Sequence, residues 1–421
     1  MDRHDKKTLI RLVILLSLGA LLYFITNIQR VGIPGSIFSE LQTDLSLNAV
    51  QVASLGAVFM YIYGMSQFFV GFLTDSIGGI RVLMIGAILF GIGSILFPIA
   101  PNLTLLYLCR GFVGFGASLF YVSLIQTVSK TFPKQFTVLM GWFLLIGCLG
   151  AIAANAPFVF CVQQIGWVNT LLILGIISAV MGLIVLLAGF PVSGETARKI
   201  RFDLKIFPAV FKNRNNIKAY LALGLCFGIY YVIQTVVGKK FLEDFCGMDS
   251  IRSAMVLSVM GFCTAAANFL CVYVCRAIGN RRKPFFIMTP LVTACVTLLI
   301  SVFVLFEYRT NLIIPLFWLL GYFTNIAPVN LTFLREINPE GQYGTTVSCG
   351  NGIAYLSVAV LGSVAGICLD LFPAELINGI LTYGTKSYAV LFLFLFLVSI
   401  PALICGFCVP ETRNVSEEKG R

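Results

Sequence analysis

Histidine and charged residues are scarce in this chain of 421 residues. Histidine occurs once, at His4, and only 11% of the residues are Asp, Glu, Lys or Arg. A single histidine excludes a zinc site built from several histidines and a catalytic set of Ser, His and Asp. The chain also lacks a GxxxxGK sequence, the loop that cradles nucleotide phosphates. These absences argue against an enzyme, and no cofactor or metal site is predicted.

The low charge is accompanied by long apolar runs. Apolar residues make up 58% of the chain, which leaves too little polar surface for a water-soluble protein. A helix crosses the hydrocarbon core with ~20 predominantly apolar residues, and these runs are continuous rather than alternating, which predicts helices and not a β-barrel. We expect an all-α membrane protein with twelve transmembrane helices, at residues 9–33, 49–74, 81–98, 103–127, 136–161, 166–190, 217–238, 252–275, 284–306, 312–334, 344–370 and 383–408.

The cysteines form no recognisable metal or disulfide pattern. Of the 13 cysteines, only Cys246 lies in a clear loop, and no CxxC pair stands in a polar segment. We therefore interpret them as packing residues within the spans.

Lysine and arginine are distributed unevenly between the loops. Of the 29, Arg30 and Arg110 lie inside apolar spans. Five fall on one side of the membrane: Lys239, Lys240, Arg252, Arg309 and Lys386. The remaining 22 fall on the opposite side. Because cytoplasmic loops are enriched in Lys and Arg, both termini are predicted to be cytoplasmic. The net charge of +11 is then an orientation signal, and nucleic-acid binding is not predicted.

The longest polar segment divides the twelve spans six and six. It predicts an N-terminal bundle at 1–190, a basic cytoplasmic linker at 191–216, and a C-terminal bundle with a short cytoplasmic tail at 217–421. The loop at 71–81 has a weaker echo at 276–283, about 200 positions later, and the loops after spans four and ten correspond at a similar offset. The two halves therefore read as copies of one unit.

The loop GFLTDSIGGIR, residues 71–81, joins spans two and three. We expect Gly71 to let neighbouring helices approach closely, and Gly78 and Gly79 to supply the positive φ that a short turn needs. Asp75 is expected to lie against helix ends or Arg81.

This loop resembles the signature of the major facilitator superfamily of secondary transporters: glycine, three residues, aspartate, two residues, glycine, then basic residues. Arg110-Gly111 with Gly114 and Gly116 resembles the arginine-led signature of the family's fourth helix. The resemblance implies two pseudo-symmetric six-helix bundles around a central cavity, with helices one, four, seven and ten lining it. It also implies transport by alternating access.

Both halves depart from the family pattern. Arg276 occupies the position that corresponds to Asp75, and Ser76 stands where the family has a basic residue. We expect the loop-to-helix charge network to survive in the first half only. Asp75 is then expected to serve the conformational cycle through a contact that is made in one state and broken in the other, unless it simply caps the hairpin.

Arg30 is the leading candidate for substrate binding. It lies 19 residues after Arg11, roughly 28 Å along a helix, and an ionised group inside a membrane helix is by default a functional candidate. Its fork can hold a carboxylate or phosphate with two parallel hydrogen bonds. Tyr23 and Asn27 share its helical face. The segment resembles the first helix of organic-anion and organophosphate members, although Arg30 could instead reach the outer headgroups.

Arg110 is the second charge inside a span, and the resemblance connects its counterpart with coupling or helix packing. Structural pairing and substrate contact both stay open for it. The helices that line the family's cavity add further candidates for substrate binding, with interhelical hydrogen bonding as the rival explanation of each amide: Tyr121, Tyr231, Gln234 and Asn325.

No carboxylate lies near the centre of a span, which weakens proton symport and favours anion exchange or facilitated diffusion. The sequence therefore predicts a monomeric multi-pass transporter of the cell (inner) membrane. Its partners would be the lipid bilayer, a small polar and anionic organic solute, and a coupling ion or exchanged anion. An amino-acid or peptide transporter is the alternative within the fold, and a membrane solute sensor without transport is the alternative outside it.

Overall fold

The computed structural model describes residues 3–192, 206–324, 326–339, 342–377 and 379–412. The described chain is helical almost throughout. The helices are α1 Arg3–Gly32, α2 Phe38–Leu45, α3 Ala49–Ile77, α4 Gly79–Leu96, α5 Leu103–Thr131, α6 Phe136–Ala153, α7 Ala156–Ile165, α8 Trp167–Gly189, α9 Ile206–Lys212, α10 Arg214–Val232, α11 Gly238–Asp244, α12 Ser250–Ala277, α13 Lys283–Leu305, α14 Ile313–Thr324, α15 Ala327–Ile337, α16 Tyr343–Asp370 and α17 Thr385–Cys408. Short 3₁₀ turns lie at Gly35–Ile37, Phe97–Ile99 and Pro133–Gln135, and a π-helical turn, Ile233–Val237, joins α10 to α11.

These helices supply the twelve predicted membrane spans. Within the described residues, eleven helical segments are long and apolar enough to cross a membrane, and a twelfth is the pair α6 and α7, bent by 48°. The bend has a local cause, because Pro157 in the first turn of α7 lacks the N–H that would continue the helix. The all-α, twelve-helix prediction is confirmed.

One small sheet was not expected from the apolar pattern. Strands β1 Glu375–Ile377 and β2 Ile380–Thr382 pair antiparallel, with Leu376 opposite Leu381. They form a hairpin between α16 and α17, in a stretch that the sequence predicts to be a loop.

The first of two compact units comprises Met1–Ile33 and Val58–Phe202. In it, α4 packs against both α5 and α8, and α1 packs against α6. The α4–α5 contact is close because a Cβ on Gly116 would lie only 2.7 Å from the carbonyl oxygen of Gly86. Small residues of this kind let membrane helices approach each other.

The second compact unit comprises Pro34–Ala57 and Asp203–Arg421. The segment 34–57 belongs to it because Gln42 donates to the Tyr383 hydroxyl at 2.6 Å and the Asp370 carboxylate accepts the N–H groups of Ala49 and Val50 at 3.2 and 2.8 Å. The sequence predicts a division in chain order, at 1–190, 191–216 and 217–421, and this division stays a prediction. The compact units differ from it because the segment 34–57 belongs to the second unit.

The π-helical turn shapes the seventh span. Gly238 donates its N–H to the carbonyl of Ile233, five residues earlier. A Cβ on Gly238 would overlap the same carbonyl oxygen, and a Cβ on Gly35 would lie 2.6 Å from the carbonyl oxygen of Thr235. Glycine at these two positions permits the turn and its contact with the 3₁₀ turn Gly35–Ile37. Turns of this type are frequent at functional sites.

Candidate functional site

Arg30 lies in the last turn of α1 and is only 7% exposed. Its guanidinium donates to Oδ1 of Asn27, one turn earlier in the helix, and lies 5.6 Å from the ring centroid of Tyr63. The side chain therefore turns back along the span rather than out toward the nearer helix end at Gly32. This geometry favours a buried charge over the alternative in which Arg30 reaches the headgroups.

Asn27 and Tyr23 continue the same polar face. The Asn27 amide is 2% exposed and donates to the carbonyl oxygen of Tyr23 at 2.8 Å, which leaves its own oxygen facing Arg30. The Tyr23 ring stacks on Tyr121 with centroids 5.4 Å apart and planes 26° from parallel. The first unit thus brings Arg30 and Asn27 into direct contact and joins Tyr121 to them through Tyr23.

Arg110 is 1% exposed and is held by α1. Its Nη2 donates to the carbonyl of Ile33 at 3.2 Å, and Nη1 makes a longer contact of 3.5 Å with the carbonyl of Gln29. A cation at these carbonyls caps the C-terminal end of the helix, where the dipole is negative. The contacts of Arg110 therefore favour structural pairing, and they hold α1 on either side of Arg30.

Two aromatic residues that the sequence did not single out connect the arginines. Phe59 and Tyr63, one turn apart on α3, stack with centroids 5.9 Å apart and planes 12° from parallel. The Arg110 guanidinium lies 4.8 Å from the Phe59 centroid. α3 can come this close to α5 because Gly114 has no side chain; a Cβ at this position would lie only 2.8 Å from the carbonyl oxygen of Phe59. The signal in the sequence was the i, i+4 spacing of two rings.

Gln29 is a second missed residue of this site. It is 3% exposed, and its Nε2 donates to Ser94 Oγ on α4 at 2.9 Å. This bond fixes the turn of α1 that carries Arg30. An amide next to the buried arginine in the sequence was the available signal.

The candidates of the second unit are less closely connected. Gln234 lies in the π-helical turn, is 3% exposed, and donates Nε2 to the carbonyl of Leu257 at 3.0 Å. The rival explanation, interhelical hydrogen bonding, therefore applies to it, while Oε1 has no hydrogen-bond partner among the described residues. Tyr231 packs against Phe227 and Tyr355 with centroids 4.8 and 6.3 Å away. Asn325 lies outside the described residues.

The loop after the second span differs in detail from its expected roles. Gly78 has a φ of +91° and precedes α4, as predicted. Gly79 is already helical: it serves close packing, because a Cβ there would lie 2.8 Å from Thr127 Oγ1. The expectation for Gly71 is wrong, since nothing among the described residues lies within 4 Å of the position of its Cβ.

Asp75 is exposed and accepts a hydrogen bond from Gln126 Nε2 at 2.9 Å. Arg81 is half-buried on α4, and within the described ranges no ion pair joins it to Asp75. The carboxylate thus contacts α5 through a neutral amide. This contact leaves both the gating role and the capping role of Asp75 as predictions.

The expectation that a charge network survives only in the first half is wrong. In the second half, Arg282 Nη2 pairs with Glu336 Oε1 at 3.1 Å, and Thr412 donates to the other oxygen of Glu336. Burial lowers the pKa of the Arg282 guanidinium, but the hydrogen bonds that it donates to Glu336 and Cys275 and the charge of Glu336 outweigh this effect, so the pKa lies above its ordinary value. The cation of this ion pair is Arg282 and not Arg276.

The sequence predicts that Lys239 and Lys240 lie in a loop, and this prediction is wrong. The seventh span continues through the π turn to Asp244, and both lysines are at most 2% exposed. Lys239 pairs with Glu243 at 2.8 Å and Lys240 with Asp244 at 2.9 Å. Asp244 also accepts from the Tyr388 hydroxyl at 2.8 Å and from the N–H of Tyr383 at 3.0 Å. The two charges are buried because acids four residues later neutralise them.

Comparison with known proteins agrees with this architecture. Residues 15–360 match the sequence profile of the Major Facilitator Superfamily. The sialic acid transporter NanX of Escherichia coli (strain K12) is 23% identical over 379 residues, which cover 89% of each chain. The cis,cis-muconate transport protein of Acinetobacter baylyi is 20% identical over 351 residues, or 78% of this chain and 81% of that protein.

Among solved structures, the nucleoside transporter NupG superposes with a TM-score of 0.72 over 95% of this chain and 99% of its own, at 15% identity. That likeness shows the fold alone. The family profile, in contrast, covers most of the chain and includes both the loop of Asp75 and the helix of Arg110. The chain therefore belongs to the Major Facilitator Superfamily, and it is a multi-pass membrane transport protein rather than an enzyme.

Proposed function

We propose that this transporter moves a small polar organic anion, with a carboxylate or phosphate group, across the cell membrane by alternating access. Arg30 binds the anionic group. The observation that carries the proposal is a guanidinium that is 7% exposed within a membrane span and is oriented by two neutral groups, the Asn27 amide and the Tyr63 ring. The planar guanidinium of arginine matches both a carboxylate and a phosphate group.

The relatives support the anionic class. Two relatives are named as transporters of sialic acid and of muconate, and both solutes are anions at neutral pH. Neither identity is high enough to transfer a particular substrate. The shared chemistry is a carboxylate on a polar organic solute, which is the group that Arg30 would bind.

Hydroxyl and amide groups would complete the recognition. Asn27 and Tyr23 extend the polar face of Arg30, and Tyr121 stacks beside them. In the second unit, Gln234 donates to the carbonyl of Leu257, and its Oε1 has no hydrogen-bond partner among the described residues. Tyr231 and Asn325 stay predictions, as does Gln234.

Ligand binding and counterflow of the purified protein test the proposal together. A thermal-shift screen of sialic acid, muconate, phosphate esters and amino acids would be repeated with Arg30→Gln and Arg30→Lys. Loss of hydrogen bonds to a charged group should lower anion affinity about 10- to 100-fold in Arg30→Gln. Arg30→Lys should recover only part of it, because an ammonium cannot form the parallel pair.

Arg276→Gln is the matched control, since it removes an exposed arginine and should leave affinity unchanged. Anion affinity that survives Arg30→Gln would remove Arg30 from the site. A response to amino acids alone would move the substrate to the zwitterionic class. Ligand binding without counterflow in proteoliposomes would indicate a sensor instead of a transporter.

The orientation with both termini in the cytoplasm is part of the proposal. It is supported by the 22 Lys and Arg residues that fall on the side of the termini. A reporter that is active only in the cytoplasm, fused after Arg421, should be active, and the same reporter inserted at Cys246 should be silent. The reverse result would invert the orientation.

A further inference from the structure

A cavity of about 380 Å³ lies at the N-terminal end of α13, where the span Lys283–Leu305 begins. Two cations, three apolar side chains and one carboxylate line it: Arg281, Lys283, Pro284, Ile287, Met288 and Glu411. The cavity thus combines charged and apolar groups at one end of a membrane-spanning helix. Arg281 and Lys283 lie in the loop at 276–283 and have no role in the proposed transport.

The carboxylate in the cavity is engaged by the backbone. Glu411 accepts the N–H groups of Arg282 and Lys283 at 2.8 and 3.3 Å, and so caps the first turn of α13. The Arg282 side chain is directed away, to Glu336. Within the residues that the structure describes, the side chains of Arg281 and Lys283 form no ion pair. Both residues line the cavity beside Glu411.

An apolar stripe leads from the cavity along α13. Its members are exposed, follow one another at spacings of three or four residues, and so lie on one face of the helix: Met288, Leu291, Cys295, Leu298, Val302 and Leu305. The stripe is ~25 Å long at 1.5 Å per residue, which exceeds the ~15 Å of one hydrocarbon leaflet. In a span, an exposed apolar face of this kind contacts lipid chains.

We propose that this cavity is a binding site for an anionic phospholipid. Its phosphate lies between Arg281 and Lys283, its glycerol region lies against Pro284 and Ile287, and an acyl chain follows the stripe that begins at Met288. Basic pockets at the ends of membrane helices suit such headgroups. A soluble phosphate ester would share the headgroup contacts and would gain nothing from the stripe.

The full-length protein in detergent, titrated with lipid, tests the site. Phosphatidylglycerol should raise the melting temperature, and phosphatidylcholine and glycerol 3-phosphate should not. The double variant Arg281→Gln/Lys283→Gln should lose the stabilisation by phosphatidylglycerol, and the charge-preserving pair Arg281→Lys/Lys283→Arg should keep it.

Lys130→Gln/Lys134→Gln is the matched control, because it removes the same charge from two exposed lysines of the first unit. An equal loss of phosphatidylglycerol stabilisation in this control would show that anionic lipid is attracted diffusely by the basic surface and does not bind at the cavity. Stabilisation by glycerol 3-phosphate as large as that by the lipid would overturn the lipid as occupant. Absence of any phosphatidylglycerol effect on the parent protein would overturn the site, and so would failure of the charge-preserving pair if it folds normally.

Discussion

Phe59 and Tyr63 stack on one face of α3, with their ring centroids 5.9 Å apart, and each ring also lies against an arginine. Arg110 lies 4.8 Å from the Phe59 centroid and Arg30 lies 5.6 Å from that of Tyr63. The two buried arginines of the first unit therefore share one aromatic support. α3 orients the proposed anion-binding group although it contributes no charge to it.

Tyr63→Leu should weaken anion binding, because it removes the ring that orients the Arg30 guanidinium. A desolvated cation–π contact of up to ~2 kcal/mol corresponds to a loss of about 3- to 30-fold in affinity. Tyr63→Phe keeps the ring and should remain within about twofold of the parent. Calorimetric titration of the best anion from the screen measures both. An equal loss in Tyr63→Phe would assign the effect to the hydroxyl instead.

Arg110→Met should destabilise the protein in the absence of ligand. The substitution removes the cap on the carbonyls of Gln29 and Ile33 and keeps an unbranched chain of similar length. Hydrogen bonds to a charged group suggest a cost of about 2–3 kcal/mol, seen as a lower melting temperature in detergent. If Arg110→Met melted like the parent but no longer bound anions, Arg110 would be a substrate contact and not a structural one.

Asp75→Ala should slow transport while sparing substrate binding. The carboxylate is exposed and contacts only Gln126 among the contacts described, so its loss should affect the conformational cycle more than folding. Counterflow in proteoliposomes and thermal-shift titration separate the two effects. Gln126→Ala should reproduce part of the defect. Turnover equal to that of the parent would reduce Asp75 to a cap of the hairpin.

Gly238→Ala should destabilise the seventh span, because the added methyl overlaps the Ile233 carbonyl that closes the π-helical turn. We expect a loss of 1–3 kcal/mol, the range for overpacking. Gly224→Ala is the control in the same span: its Cβ would meet nothing closer than 3.6 Å, and helix propensity favours it by about 1 kcal/mol. The melting temperature should fall for Gly238→Ala and rise for Gly224→Ala. Equal shifts in the two variants would show that the turn has no special requirement for glycine.

Lys240 and Asp244 should behave as a coupled pair. Lys240→Met or Asp244→Leu alone leaves a buried charge without its partner, at a cost of about 3–5 kcal/mol. The double variant removes both charges and should cost less than either single one. A double-mutant cycle on melting free energies measures the coupling. Additive losses would show that the two side chains act independently.

The membrane spans were predictable because each apolar run is continuous and long, and Arg30 stood out because charge is rare within such a run. The end of the seventh span was misplaced at residue 238, since Lys239 and Lys240 resemble loop residues until Glu243 and Asp244 are placed four positions later on the same helix. The π turn itself is defined by a hydrogen bond, and no composition rule indicates it.

Long-range contacts set the other limit. Tyr63 lies on a different span from Arg30, and Asp370 caps α3 from a position about 320 residues later. Periodicity within one helix carries no information about such partners. The ion pair of the second half was likewise missed, because only the fold brings Arg282 to Glu336.

The four residues that follow α17 have a practical consequence for protein engineering. A chain shortened at Cys408 would keep every membrane span, so hydropathy alone would call the truncation harmless. It would nevertheless lose Glu411, which caps α13, and Thr412, which holds Glu336. Purification tags should therefore be attached beyond Thr412, and truncations that stop earlier should lower the yield of folded protein.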